Sequence, residues 1–396
     1  MLKKITLLRD RVESWESYPF SVPAIRCFED LSLRSRICFF AGENGTGKST
    51  LLETMIRQDI QNGNGVCLID PHGDLAQKVL LRIPENRRHD LIYFNVPDTA
   101  HPLHFNPLGD IAPSKRALTA SNLISIFKTQ WADNWGPRSE YIMRNCLLAL
   151  LEMPSAQLSD ITRLFSDKTY RQEVANAVTN PPVRNFWLRE FESFSPRFRV
   201  DATAPLQNKL GAFLSNPIIA GIVGSDTSSF DLREVMDSGK ILIVNLAKGQ
   251  IGEDTTGLLG AFLVSSITLS ALGRADVSQS QRRFFGVYLD EFQSYTTLSL
   301  ASALSELRKY GISITLCHQY IHQLEKEVYH AILGNVGSLI AFRVGVEDAK
   351  ILTKEFEPEL ELLDLVNLPN HNIYIRLLVD GVPRRPFSAE TIMLNR

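Results

Sequence analysis

Two short stretches carry residues whose types and spacing could do chemistry. Gly42-Glu43-Asn44-Gly45-Thr46-Gly47-Lys48-Ser49, followed by Thr50, fits GxxxxGK[ST] at every fixed position. Glycines so placed let successive backbone N–H groups curl around phosphate oxygens, and a helix starting there adds partial positive charge. Lys48 would reach the β- and γ-phosphates and Ser49 would ligate a metal, so the expected ligands are ATP and Mg²⁺. The second stretch is Asp290-Glu291, which closes the apolar run FFGVYLDEF. Such an acid is expected at the end of a strand neighbouring the loop's own. Asp290 would hold the metal through water, and Glu291 would polarise an attacking water as general base. The plainer alternative is an ordinary acidic strand end.

Other polar residues sit at strand and helix ends. Gln319 closes ISITLCHQ, where it could sense a γ-phosphate or make only a local hydrogen bond. Arg308, in SELRKYGI just before that strand, reads as an arginine finger for a neighbouring subunit or as a solvated helix charge. Arg343, inside the apolar AFRVG, needs either a structural partner or a phosphate. Asp70, His72 and Asp74 in LIDPHGDL read better as a turn near the loop than as metal ligands, since no other His or Cys has useful spacing. Arg197 and Arg199, with Phe194 and Phe198, suggest either a basic aromatic patch for nucleic acid or a plain helical surface.

The elements that must position these residues follow from apolar patterning. ICFFAG, GVCLID, LIYFNV, KILIVNL, FFGVYLD, ISITLCHQ and SLIAFRVG are near-continuous apolar runs, as expected of strands covered on both faces. Helical stretches between several of them give an α/β fold. Asp380-Gly381 between two extended runs predicts a hairpin. From about 112 to 230 the strand pattern stops. Ile142, Cys146 and Leu150, with Met143, Leu147 and Leu151, repeat at helical spacing, and an all-helical insertion is expected there. That divides the chain into an N-terminal segment (1–33), a first α/β part with the loop (34–111), the insertion (112–230) and a second α/β part (231–396). The insertion contains none of the motifs, so it is expected to be separable from nucleotide binding.

Composition limits the alternatives. A net charge of −2 over 396 residues argues against a surface basic throughout, though not against a local basic channel. The five cysteines are scattered without a CxxC pair, which disfavours disulfide and metal frameworks and suggests a reducing, cytoplasmic setting. The uncharged run 255–273 has spanning length, but its Ser, Thr and Gly content and its place between strands predict a buried core helix.

From about residue 62 onward the sequence resembles the conjugative coupling-protein ATPases, the TraG/TraD group of the HerA–FtsK superclass. The resemblance lies in GVCLIDPHGDLA, FNPL, WADNWGPRSEYIMRN, KILIVNLAKG, VYLDEFQSY, SELRKYGISITLCHQYIHQL, GNVGSLIAFRVGVEDA and NLPNHNIYIRLLVDG. It implies a RecA-like P-loop NTPase fold with a mainly parallel sheet. It implies a homo-hexameric motor that moves single-stranded or duplex DNA through a ring channel, with relaxase or secretion-channel proteins as partners. It supports Lys48, Ser49, Asp290 and Glu291 in the roles above, Gln319 as γ-phosphate sensor and Arg308 as finger in trans, and it matches the insertion to an all-α domain that handles substrate. Many members carry N-terminal transmembrane helices. None is read in this sequence, so a cytoplasmic protein, or one peripheral at the inner membrane, is expected. Residues 1 to about 55 look instead like the start of an ABC- or SMC-type ATPase, though no LSGGQ-like signature is found. The rival readings are a coupling ATPase that delivers protein and a non-translocating ATPase switch.

Overall fold

Strands that read as apolar throughout are expected to be covered on both faces, and in the computed structural model of the chain they are, except for Leu91–Asn95 at the sheet's edge, where only Phe94 is buried. The structure describes residues 22–23, 37–109, 111–132, 135–321, 324–379 and 382–391. The proposed N-terminal segment, residues 1–33, lies outside them apart from Val22–Pro23 (β1). The remaining strands are β2 (Ile37–Ala41), β3 (Gly65–Asp70), β4 (Leu91–Asn95), β5 (Ile241–Asn245), β6 (Phe285–Leu289), β7 (Ile312–His318), β8 (Val336–Ala341), β9 (Asn372–Arg376), β10 (Leu378–Val379), β11 (Val382–Pro383) and β12 (Phe387–Glu390). One sheet runs in the order β1-β12-β9-β8-β2-β7-β6-β3-β5-β4. From β8 to β4 every pairing is parallel; β9 runs antiparallel to β8 and β12 antiparallel to β9. β10 and β11 form the expected antiparallel pair, though Asp380-Gly381 itself lies outside the described residues.

The order corrects one expectation. β6, which carries Asp290-Glu291, does not neighbour the loop strand β2; β7 lies between and pairs with both. Strand order follows from where the crossover helices pack, which no local run of residues encodes.

Helices fill both faces. On one, α1 (Lys48–Gln61) buries Leu51, Leu52, Met55, Ile56 and Ile60 against Cys38, Phe40 and Leu68, and α2 (Asp74–Leu80) joins the same cluster. Between residues 112 and 230 the described elements are all helical. They include α3 (Arg116–Gln130), α4 (Pro137–Leu150), α5 (Pro196–Leu214) and a π-helical turn at Phe186–Glu190. The six α4 and post-α4 residues singled out by spacing are all buried. The helical region is not detached. α3 lies on α6 (Glu253–Gly273), with Phe127 edge-on to Phe262 at 5.6 Å, and the apolar cluster runs on to Phe39 and Ile69 of the sheet. α3 thus shares a core with the α/β part.

α6 is the long uncharged run. Among the described residues it is the one helix long and apolar enough to cross a membrane, but 78% of its apolar window is buried inside the fold. Its small residues have a local reason. A Cβ on Gly257 would come within 2.8 Å of the Ser294 carbonyl oxygen, and one on Gly260 within 2.9 Å of the Tyr295 ring. The turn that follows Asp290-Glu291 can press on α6 only because those side chains are missing.

Candidate active site

Parallel strands bring their C-terminal ends to one rim. The pairings Ala41↔His318, Leu289↔Leu316 and Ile69↔Leu289 set Gly42, Gln319, Asp290-Glu291 and Asp70 along it. β2 enters the loop, and α1 leaves it at Lys48. Gly45 and Gly47 adopt φ of +75° and +114°, open to glycine and strained for other residues. Lys48 is buried, and its Nζ donates to the carbonyls of Gly42 (2.6 Å) and Glu43 (2.7 Å); Thr46 Oγ1 donates to Glu43 O at 2.8 Å. Asn44, Gly45 and Ser49 are exposed, and Thr50 takes part in the first turn of α1 by accepting from Thr54 Oγ1. Arg343 finds its partner here: its Nε lies 3.2 Å from the Glu43 carboxylate, and its carbonyl accepts from Glu43 N at 2.8 Å. The charge that follows the apolar strand braces the loop.

Asp290 is nearly buried, and its carboxyl is pushed up to about 6, first by burial and then by the charges of Asp70 and Glu291. Lys48 pulls the other way. Beneath it, Tyr295 Oη donates to the Asp290 carbonyl, and burial pushes that phenol well above its usual range. Glu291 sits at φ 47°, ψ 47°, a left-handed backbone uncommon outside glycine. Both of its carboxylate oxygens are taken: Oε1 accepts from Gln319 Nε2, and Oε2 from Gln293 Nε2 at 2.6 Å. Sensor and base candidates thus meet directly.

Asp70 accepts from His72 N (2.8 Å) and Ala76 N (2.9 Å), which makes LIDPHGDL the turn that starts α2; His72 and Asp74 are exposed. Among the described residues no group of three His, Cys, Asp or Glu could hold a metal alone. Ser49 and Asp290 are the residues of the chain that could contribute to a cation bound largely through phosphate oxygens and water. A desolvated acid facing a phosphate loop is where such a cation would relieve unpaired negative charge.

Arg308 is not brought to this rim. It is exposed in the turn Arg308–Tyr310, after α7 (Leu298–Leu307) and before β7 begins, so it sits at the opposite end of β7. Seven strand residues separate the two rims by about 20 Å. Arg199 also falls short of a nucleic-acid patch: its guanidinium donates to Phe191 O at 3.1 Å and lies 3.7 Å from Glu192. Arg197 is exposed, and Arg138 covers Phe198 at 4.6 Å.

Sequence reasoning missed several residues of the rim. Asp70 was read as part of a turn near the loop, which is where it lies, but Gln293 and Tyr295 were not singled out, although both lie within DEFQSY, so a signal existed. Phe342, just after β8, His371, just before β9, and Thr391, just after β12, lie against the loop and had none.

The sequence profile of the type IV secretion-system coupling protein DNA-binding domain matches residues 30–354. The chain belongs to that family. Among solved structures it is similar to the bacterial conjugative coupling protein TrwBdeltaN70 in unbound form, with a TM-score of 0.66 at 17% identity, covering 92% of this chain and 86% of that one. TrwB in complex with ADP and Mg²⁺ gives 0.65 at 17% identity, covering 92% and 87%. VirB4 of Thermoanaerobacter pseudethanolicus gives 0.59 at 13% identity, covering 90% and 88%. No curated protein sequence matches the chain. At these identities the likeness is one of fold, and the fold of this coupling-protein chain is the RecA-like P-loop α/β fold with a mostly parallel sheet.

Proposed function

We propose that this chain is an ATP-hydrolysing motor that assembles into a ring, read as a homo-hexamer, and moves DNA through it. One observation carries the reading: Lys48, Asp290, Glu291 and Gln319 converge on one rim, while Arg308 stands at the far rim, where only a neighbouring subunit could use it. The family's DNA-binding name and the TrwB complex with ADP and Mg²⁺ support the choice of nucleotide, metal and polymer.

In this reading Lys48 exchanges its two carbonyl partners for the β- and γ-phosphates, and the loop amides from Gly42 to Thr50 hold the phosphate chain. Ser49 directly and Asp290 through water would hold Mg²⁺, which when bound would neutralise charge developing on the phosphates. Glu291 is restrained at rest by two amides. Turning Gln319 toward the γ-phosphate frees Oε1 to take a proton from the attacking water. Gln319 thereby senses the phosphate and releases the base in one movement. Arg308 of the adjacent subunit stabilises the transferred group. Location in the cytoplasm, with relaxase or secretion-channel proteins as partners, belongs to the same reading.

The test is subunit mixing. Arg308→Ala subunits bind ATP but hydrolyse it poorly, and Lys48→Ala subunits bind poorly yet lend Arg308 to a neighbour. Mixed rings should recover turnover that neither variant shows alone. Full turnover by Arg308→Ala, or no recovery on mixing while rings are seen by light scattering, would favour a non-translocating switch.

A further inference from the structure

β2 divides the rim into two flanks. On one side stand β7 and β6, with Gln319, Glu291 and Asp290; on the other stand β8, β9 and β12. The reacting end of a triphosphate belongs with the base and the metal acid. A nucleotide lying along the loop must then leave its α-phosphate and ribose toward the second flank.

Two polar side chains occupy that flank against the start of α1. A Cβ built on Gly47 would lie 2.8 Å from His371 Nδ1 and 3.4 Å from Thr391 Oγ1. Gly47 is the residue where the loop becomes helix, so both side chains border the first turn of α1. Their backbone is tied to the loop: His371 N donates to Thr46 O at 2.8 Å, and Thr391 N donates to His371 O at 2.8 Å. His371 holds φ at +66°, in the left-handed region that a non-glycine residue enters only when its surroundings require it. The ring of Phe342 completes the wall, 3.4 Å from the same Gly47 position.

We infer that His371 and Thr391 form the nucleoside side of the site and contact the α-phosphate and ribose of a bound nucleoside di- or triphosphate. An imidazole N–H and a hydroxyl are suited to phosphate and ribose oxygens, and both lie on the flank that the hydrolytic groups leave open. Two antiparallel strand ends near the C-terminus thereby complete a site begun at residue 42. The inference rests on the nucleotide-binding reading of the loop.

The experiment compares ADP with inorganic tripolyphosphate, which shares the phosphate chain and lacks the nucleoside, by calorimetry on the full chain. His371→Ala should weaken ADP about tenfold, the loss of one hydrogen bond to a charged group, while tripolyphosphate changes less than about twofold. His371→Asn tolerates the left-handed backbone and keeps a donor, so it should recover part of the ADP affinity. Thr391→Val should show a smaller loss with the same selectivity. Lys48→Ala weakens both ligands and serves as the control. If the two His371 variants weaken both ligands equally, the residue only props the loop and the inference is overturned; unchanged ADP affinity in both overturns it as well. A wild-type protein that binds neither ligand would instead remove the nucleotide reading, and this inference with it.

Discussion

At the rim of the sheet, charge is buried and the backbone is bent. Asp290 and Glu291 are nearly out of water, and Ala247, Glu291 and His371 all hold φ between 47° and 66°. In the helical region between residues 112 and 230 the interior is aromatic instead. Phe186 meets Trp187 at 4.9 Å and Trp187 meets Phe191 at 5.0 Å, while the buried Arg171 is matched by Glu192 at 2.8 Å and by backbone carbonyls. Left-handed backbone is not confined to the rim, since Ser155 in the helical region holds φ 64°, but the buried, mutually repelling carboxylates are a feature of the rim. Such features are the ones that gather at candidate reacting sites, whereas the helical region has those of a packed core. The two join at Phe127 and Phe262.

The comparison breaks most visibly at Lys48. Lys48→Ala should weaken ATP affinity by about a hundredfold or more, because the main phosphate cation is gone. Trp187→Phe, deep in the helical region, should leave affinity unchanged. Equal losses in titrations of the two variants would erase the contrast. Glu291→Gln should keep ATP affinity and lower turnover by about a hundredfold to ten-thousandfold, the usual contribution of a positioned base. Failure of that variant to bind ATP would remove Glu291 from the role of base.

The join is probed by Phe127→Ala, which removes a fully buried ring and should cost about 3–5 kcal/mol. Denaturant unfolding should still show one transition, since α3 and α6 share a core. Two separated transitions would mean that the regions unfold independently.

The smallest effect concerns Asp290. Burial raises its carboxyl from an ordinary 3.8 to about 6, so the native state holds this proton more tightly than the unfolded one. The resulting stabilisation is complete below about pH 4 and is lost as pH rises through about 6. Without nucleotide or metal, Asp290→Asn should therefore melt above wild type near about pH 7, and the two curves should converge near about pH 4. A gap that does not change with pH would mean that burial of this carboxylate is not what separates them.

Much of this was legible in the sequence, for physical reasons that differ by element. The seven parallel strands announced themselves because strands covered on both faces need apolar residues throughout. β12, reading Phe-Ser-Ala-Glu near the sheet's edge, has only Ala389 buried and left no such trace. The loop and Asp290-Glu291 were readable because their chemistry demands particular residues in a row. The insertion of β7 between β2 and β6 was not, since it depends on helix packing across the whole sheet. Nor was the approach of His371 and Thr391, which reach the loop through backbone bonds from more than 300 residues away in sequence. Arg343 shows the middle case: the sequence said that it needs a partner, and only the fold supplied Glu43.

The most direct test of the account is ATP turnover per chain, with and without DNA, as protein concentration is raised. If Arg308 on the far rim serves a neighbouring subunit, as proposed, turnover per chain should climb with concentration as rings assemble and rise further when DNA is added. Turnover per chain that is constant over the whole range and indifferent to DNA would contradict it, leaving a self-sufficient ATPase in place of a ring motor.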